Sequence, residues 1–221
     1  MAHSDWSRRR TVALLGAAGA SGLAGAMIGG PAWAAALVKT PRQTEGPFYP
    51  TRFPVDSDAD LVQVAGRSGK AKGTVTYVTG RVVDPSGRPV SGARVEIWQC
   101  DAGGVYHHPG DSRGPADPNF QGYGRAVAEA DGGYRFRTIR PVPYPARTPH
   151  IHFKISGSGF SGLTTQMYVA GEPGNRRDFV LNAIGDPMVR RSVIVPLNPA
   201  DDLEPGALRG AFTIVVGRNA G

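Results

Sequence analysis

Cysteine is almost missing from this 221-residue sequence, and with Cys100 as its single copy the chain cannot form an internal disulfide. A chain without disulfides is stabilised by its hydrophobic core, by a bound metal ion, or by both. Long helical patterns are missing as well, and the 31 glycines and 19 prolines are too many for a helix bundle. This composition indicates short strands that are joined by turns.

Large apolar residues are scarce in the N-terminal segment, where a membrane anchor would need them. The cluster Ser7–Arg10 (SRRR) precedes a stretch that is rich in Gly and Ala but poor in Leu, Ile and Phe. Ala32–Ala34 (AWA) then offers a small-x-small cleavage site. This order is typical of a signal peptide with a twin-arginine motif. We expect residues 1–34 to direct export of the folded chain to the bacterial periplasm or outside the cell.

The mature chain lacks a dense cluster of Lys and Arg. The net charge of the whole sequence is +7, and removal of residues 1–34 takes away three arginines and one aspartate, which leaves +5. A mild positive charge without clustering does not indicate a nucleic-acid-binding protein. We therefore expect no nucleic-acid partner, and no membrane contact for the mature chain.

Short apolar alternations that are bounded by turn residues recur along the mature chain and predict strands. Strands are expected at Val75–Val83, from Ala93 onward, and at 124–130, 132–139, 150–157, 163–170, 192–197 and 210–217, with one short helix at Asn175–Ile184. This pattern predicts an all-β fold, an antiparallel β-sandwich of immunoglobulin or transthyretin type with at most one or two short helices. We expect an extended N-terminal arm at 35–72 and a β-sandwich domain at 73–221.

The expected arm contains the segment Gln43–Pro50 (QTEGPFYP). Its two X-Pro steps favour an extended path, because the residue before a proline is disfavoured in the helical region. Phe48 and Tyr49 are apolar side chains that the arm can bury. We therefore expect the arm to pack across the sandwich.

His150 and His152 are two of only five histidines and are separated by one residue. On a strand they share one face, and Ile151, Phe153 and Ile155 share the other. Their Cα atoms would be ~6.6 Å apart, from a rise of ~3.3 Å per residue, so both imidazoles could reach one ion. The same pattern fits two exposed histidines on the solvent-facing side of a sandwich, so the pair alone does not distinguish a metal site from exposed side chains.

Two tyrosines and an arginine near the histidine pair strengthen the case for a site. Tyr144 and Arg147 precede the pair in a loop that prolines restrict, and Tyr106 lies just past a predicted strand. Loops that follow strands often carry site residues. Tyr106 could instead be a surface aromatic, and we expect the adjacent His107 and His108 in solvent rather than on a metal ion.

These residues resemble the intradiol ring-cleavage dioxygenases, the ferric enzymes that open catechols between their two hydroxyls. Four segments carry the resemblance, which extends over about residues 40–217: QTEGPFYP (43–50), GRPVSGARVEIWQCDAGGVY (87–106), VPYPARTPHIHF (142–153) and TTQMYV (164–169). The combination of an upstream tyrosine with Tyr-x-x-Arg-x-x-His-x-His is specific, whereas any one piece is not. The segment between Tyr144 and His150 is shorter than in the aromatic-acid branch and resembles the compact form of exported members.

The resemblance implies an Fe(III) cofactor and names its ligands as Tyr106, Tyr144, His150 and His152. It implies three further positions near the reaction: Arg147 beside the site, Gln166 as a nearby polar group, and the Gly46-Pro47 step near the substrate pocket. A small aromatic diol and O2 would be the substrates. Tyr144 would be the ligand that a catechol displaces, and Arg147 would stabilise negative charge that develops on the ring.

The chemistry of these side chains agrees with the resemblance. A free tyrosine has a pKa of about 10, so its hydroxyl ligates only when a strong Lewis acid takes the place of the proton. Two anionic phenolates and two imidazoles favour ferric iron over ferrous iron or zinc. The donor set therefore predicts Fe(III).

Two other functions fit parts of the sequence. Residues 80–98 (GRVVDPSGRPVSGARVEIW) also resemble transthyretin-like modules and adhesin repeats, which bind partners and catalyse nothing. A zinc hydrolase could use His107 or His108 with the histidine pair, but no Glu or Asp base is evident beside them. Such modules need no Tyr/His set, so a dioxygenase is favoured. The sequence leaves open which catechol is used and whether the chain forms oligomers.

Overall fold

The computed structural model describes residues 37–217, and the expected signal peptide at 1–34 lies outside the described residues. In the described range the strands and helices, in chain order, are β1 (Val75–Val83), β2 (Arg94–Trp98), β3 (Tyr123–Val127), β4 (Gly133–Ile139), β5 (His150–Ser156), β6 (Leu163–Val169), a 3₁₀ helix (Pro173–Arg176), α1 (Phe179–Asn182), α2 (Pro187–Ser192), β7 (Ile194–Val195), β8 (Asn198–Pro199), β9 (Leu208–Ala211) and β10 (Ile214–Val215).

The strands form two five-stranded sheets. In the first sheet the order is β10-β1-β9-β8, with β4 also paired to β1. In the second sheet the order is β3-β2-β5-β6-β7. The prediction of an all-β fold with at most two short α-helices is confirmed.

The sheets are mixed, so their description as antiparallel needs a correction. The pairs β1–β4, β2–β3, β2–β5 and β5–β6 are antiparallel, but β9 and β10 pair with β1 in parallel, and β7 pairs with β6 in parallel. Parallel neighbours need long connections, and these strands return to their partners after intervening elements. Side-chain alternation along one strand carries no information on the direction of its partner.

The C-terminal third differs most from the expected boundaries. The predicted helix at Asn175–Ile184 is divided between the 3₁₀ helix and α1, whose first turn is capped by the side chain of Asp178. The strand expected at 192–197 shortens to β7, because α2 continues to Ser192. The Asp186-Pro187 step at the start of α2 is a helix-start signal that the strand prediction did not use.

The main core lies between the two sheets. The prediction for the two faces of β5 is confirmed: Ile151, Phe153 and Ile155 belong to this core, together with Val78 of β1 and Phe136 of β4. By the alternation of side chains, the two histidines of β5 point to the outer face of the second sheet. The outer face therefore carries the candidate site.

The N-terminal arm covers this outer face. Gln43 N donates to the carbonyl of Thr164 at 2.8 Å, and Phe48 and Tyr49 join a second apolar cluster that contains Trp98 and Tyr106. Farther along, Leu61 and Val62 reach the main core. Residues 37–217 contain no helix that is long and apolar enough to span a bilayer.

Candidate metal centre

β5 places His150 and His152 side by side on the outer face of the second sheet. Their Nε2 atoms are 3.2 Å apart, and both residues are buried, with 1% and 2% of their surface exposed. Two nitrogen ligands that bond one ion at ~2.1 Å and at right angles are about 3 Å apart. The separation therefore fits a shared metal ion.

The hydrogen bond of His150 determines which of its nitrogens can ligate. Nδ1 lies 2.6 Å from the carbonyl oxygen of Thr148, which can only accept, so Nδ1 carries the proton and Nε2 carries a lone pair. Burial and the charge of Arg147 lower the pKa of His150 to about 4. Burial and the adjacent His150 lower the pKa of His152 well below its usual range. Both imidazoles are thus neutral near pH 7, as metal ligation requires.

Two neighbours fix the orientation of the His152 ring. Trp98 of β2 stacks on it, with ring centroids 4.7 Å apart and planes at 11°. Gly46 of the arm packs against it on a backbone with φ of +72°, where a Cβ would stand 3.4 Å from Cε1 of His152. Glycine is suited to this position because of the positive φ, whereas a Cβ would meet His152 only at an ordinary van der Waals distance. The structure thus brings Gly46 to the site, and Pro47 follows it at the exposed surface.

Tyr106 is held by a loop that Asp101 and Asp111 organise. Asp101 Oδ1 accepts from the backbone N–H groups of Gly103 and Val105, and Asp111 Oδ2 accepts from the N–H of Tyr106 at 2.8 Å. The hydroxyl of Tyr106 is buried and has no hydrogen-bond partner among the described residues. Burial and the adjacent Tyr144 raise its pKa well above the usual value. An unpaired buried hydroxyl is costly, and a bound cation would satisfy its oxygen.

Tyr144 begins a tight turn that ends at Arg147. The N–H of Arg147 donates to the carbonyl of Tyr144 at 2.9 Å. Pro145 at the second position, with Ala146 at a φ of +65°, is type II geometry, in which glycine is usual at the third position. Ala146 is the only non-glycine residue of the described chain with a positive φ. Local backbone strain of this kind is frequent at functional sites.

The four predicted ligands come together in the structure. The Tyr106 and Tyr144 rings are 5.6 Å apart, the Tyr144 and His150 rings 5.4 Å, and the Tyr106 and His152 rings 6.2 Å. The paired Nε2 atoms and the unpartnered hydroxyl of Tyr106 fit a metal ion, and the two phenols match a hard ferric ion. Their roles as ligands remain a prediction.

Two side chains hold the guanidinium of Arg147. Its Nε donates to Asp178 at 2.8 Å, and one Nη donates to Gln166 Oε1 at 2.5 Å. The side chains of Arg147 and Asp178 are 8% and 0% exposed, so the pair is buried. Burial opposes the charge on Asp178, but hydrogen bonds from Arg147 and from backbone N–H groups outweigh it and lower the pKa of Asp178. Arg147 is therefore a fixed cation at the edge of the site.

Gln166 connects this cation to the arm. Its Oε1 accepts from Arg147 and from the hydroxyl of Tyr168 at 2.9 Å, and its Nε2 donates to the carbonyl of Thr44 at 3.0 Å. Gln43 completes the connection, because its Nε2 donates to the hydroxyl of Tyr168 and its Oε1 accepts from the N–H of Gln166. The predicted polar group is thus part of a network that holds the arm.

The sequence did not reveal a second cation at the site. Arg113 pairs with Asp111, and its guanidinium lies over the rings of Tyr144 at 4.8 Å and Phe48 at 5.5 Å. The hydrogen bond from Arg113 lowers the pKa of Asp111 to about 2. Asp111 also holds the backbone of Tyr106, so this pair contacts both predicted tyrosine ligands. No pattern in a single sequence connects these residues before the fold is known.

His107 and His108 stay outside the cluster. His107 is exposed and its ring lies near Phe120, whereas Nδ1 of His108 accepts from the N–H of Gly110 at 3.0 Å. Within residues 37–217 no group of three or more His, Cys, Asp or Glu side chains is placed to hold a metal ion. The arrangement that a zinc hydrolase would need is not assembled in this part of the chain.

The sequence also matches known proteins. A family described as Dioxygenase matches residues 44–216. The protocatechuate 3,4-dioxygenase beta chain of Burkholderia cepacia is 40% identical over 190 residues, which cover 81% of this chain and 80% of the relative. The chain belongs to the intradiol ring-cleavage dioxygenase family. Another member, catechol 1,2-dioxygenase of Candida albicans, is 32% identical over 154 residues, which cover 61% of this chain and 48% of that relative. The chain thus spans about half the length of the catechol enzyme.

Solved structures of the family have the same fold. The dioxygenase domain of a carbohydrate-binding fusion protein from Streptomyces sp. SirexAA-E superposes with a TM-score of 0.64 at 31% identity, over 82% of this chain and all of that one. Catechol 1,2-dioxygenase from Acinetobacter sp. ADP1 gives a TM-score of 0.64 at 28% identity, over 82% of this chain and 63% of that one. The chain therefore shares its fold with part of the longer catechol enzyme.

Proposed function

We propose that this intradiol dioxygenase binds Fe(III) through Tyr106, Tyr144, His150 and His152 and cleaves a small catechol with O2 to a cis,cis-muconate-type product. The observation that carries the proposal is the pair of facing Nε2 atoms, 3.2 Å apart, beside the unpartnered hydroxyl of Tyr106. When bound, ferric iron would withdraw electron density from the catechol ring and so activate it toward O2. The chain itself supplies positions, charges and a dry enclosure.

The position of Tyr144 fits a metal ligand that a catechol displaces. Tyr106, His150 and His152 are buried, whereas Tyr144 is partly exposed and lies on the strained turn at Ala146. A side chain at the edge of the cluster can move without opening the core. Its phenolate oxygen would then accept a proton from a catechol hydroxyl.

The arm and Arg147 give the site its enclosure and its charge. Phe48 stacks on Tyr106 with ring centroids 4.7 Å apart, and so covers the predicted centre from the arm side. Water exclusion strengthens the interaction of Arg147 with negative charge on the substrate ring. Because Arg147 is already held by Asp178 and Gln166, little reorganisation is needed when that charge develops.

Metal content and a visible spectrum test the proposed function. We expect about one iron per chain in the purified protein and a broad visible band from tyrosinate-to-iron charge transfer. Addition of a catechol under anaerobic conditions should shift this band, and a panel of catechols would rank the substrates. An active preparation that contains zinc and no iron would contradict the proposal.

Export is a second part of the proposal, supported by the arginine cluster and the cleavage site within residues 1–34. Replacement of both Arg8 and Arg9 with Lys should leave the unprocessed precursor in the cytoplasm, because twin-arginine recognition depends on the guanidinium pair rather than on charge alone. Cell fractionation with an immunoblot measures this. Because Arg10 could pair with Arg9, replacement of Arg8 alone would leave one arginine pair, whereas the double variant removes both possible pairs. Export of that variant at the normal level would exclude the twin-arginine route.

A further inference from the structure

Asp178 bridges two elements that border the site. Its Oδ1 accepts from the N–H groups of Val180 at 3.1 Å and Leu181 at 2.9 Å, and so caps the first turn of α1. Its Oδ2 accepts from Nε of Arg147 at 2.8 Å and from the N–H of Thr148 at 3.0 Å. One buried carboxylate thus joins the start of a helix to the loop that leads into β5.

The guanidinium of Arg147 is held from two directions by this arrangement. Nε of Arg147 donates to Asp178, and one Nη donates to Oε1 of Gln166. The hydroxyl of Tyr168 lies 3.5 Å from that same Nη. None of these contacts uses the other Nη, which is the group that we expect to face a substrate. The position of the Asp178 carboxylate sets the orientation of this Nη, because a planar guanidinium that is fixed at Nε cannot turn freely.

We propose that Asp178 is a positioning residue of the intradiol reaction, which orients Arg147 toward the substrate through the buried carboxylate–guanidinium pair. This inference rests on the proposed function of Arg147. Asp178 itself contacts neither the predicted metal ligands nor the space beside them through any hydrogen bond found in residues 37–217. Two routes lead from Asp178 to the site: the ion pair with Arg147, and the N–H of Thr148, whose carbonyl accepts from Nδ1 of His150. An effect through Thr148 would change iron binding, whereas an effect through Arg147 leaves the iron content and the resting band unchanged.

Asp178→Asn separates the two tasks of the side chain. Asn is as good a helix N-cap as Asp, so its Oδ1 can still accept from Val180 and Leu181. The amide group that replaces Oδ2 is a donor, however, and it would face the donors of Arg147 and Thr148. The helix start is kept and the hold on Arg147 is lost.

A double-mutant cycle on the iron-loaded enzyme tests the inference. The set consists of wild type, Asp178→Asn, Arg147→Lys and the double variant, each measured for iron content, resting visible band, anaerobic catechol affinity from the band shift, and kcat. We expect Asp178→Asn to keep iron and the resting band but to weaken catechol affinity, kcat or both by roughly tenfold, as coupled contacts do. The double variant should be no worse than the poorer single variant, because both substitutions disrupt one unit.

Asp186→Asn is the matched control. Asp186 caps α2 by accepting from Met188 and Val189, it is exposed, and it forms no ion pair within the described chain. The control should leave affinity and kcat within about twofold of wild type. If Asp178→Asn fails to fold, Asp178→Ser, a capping residue too short to reach Arg147, takes its place in the cycle.

Two results would overturn the inference. One is an Asp178→Asn protein that behaves like the Asp186 control. The other is a double variant whose losses multiply, since independent effects mean that Asp178 does not act through Arg147. A wild-type protein without iron or without a catechol-induced band shift would instead contradict the proposed function, so the two failures are distinguishable.

Discussion

The His152→Ala protein should be purified without iron and without the visible band, whereas the His107→Ala protein should keep both. His152 is buried, its Nε2 faces that of His150, and its ring is stacked on Trp98. In the alanine variant, a water molecule is not positioned to replace the lost nitrogen ligand. Loss of a ligand should cost more than the roughly 10–100-fold in metal affinity that loss of an outer hydrogen-bond partner costs. Metal analysis after dialysis measures the difference.

Tyr106→Phe extends this test to the phenols. The substitution removes one buried oxygen and leaves the ring that stacks on Phe48, so packing is preserved and only the donor atom is lost. We expect loss of iron, or of the charge-transfer band where iron remains. His108→Ala is a second control, because its Nδ1 bonds only to the loop backbone. Iron retained by His152→Ala and lost by His107→Ala would refute the ligand set.

Arg147→Lys should keep iron and the resting band but lower the turnover rate by about 10²-fold, by analogy with the loss of one preorganised donor from an enclosed site. A lysine ammonium cannot reproduce the planar contacts to Asp178 and Gln166. The Lys variant is preferable to Arg147→Ala, which leaves the buried carboxylate of Asp178 unpaired. Breaking a buried pair in that way typically costs about 3–5 kcal/mol of stability.

Steady-state kinetics and anaerobic catechol binding separate a catalytic role of Arg147 from a structural one. A catalytic role predicts a lower kcat at saturating catechol in a protein of unchanged melting temperature. A variant that binds catechol normally and turns over within about twofold of wild type would show that Arg147 serves only to hold the loop. Normal catechol binding and turnover together with a strongly reduced melting temperature would also show that Arg147 serves only to hold the loop.

The features that the sequence predicted are those with short-range signals. The placement of His150 and His152 opposite Ile151 follows from the two-residue period of a strand, which is local. The turn at Tyr144 was visible as a proline-restricted loop for the same reason. The starts of α1 and α2 are capped by Asp178 and Asp186, and these capping signals are also local. The end of α2 was missed because the apolar pattern of 192–197 predicted a strand there.

The features that the sequence did not predict depend on contacts between distant residues. Asp178 lies 31 residues after Arg147, and a lone Asp in a polar segment looks like any exposed carboxylate. The same holds for Arg113, whose place over Tyr144 exists only after the loop from Tyr106 has folded back. The parallel pairing of β7, β9 and β10 was likewise hidden, because strand direction is decided by the path of the whole chain.

The arm imposes an order of assembly on the centre. Gln43 donates to Tyr168 of β6, 125 residues later, so the arm can take its final position only after β6 has been synthesised. Contacts of such long sequence separation form late, because the intervening chain must be ordered first. Phe48 and Gly46 therefore close over the histidines only after β5 and β6 have paired. Until that moment the nascent sandwich is open on the arm side, which gives an incoming ion its widest access to the centre.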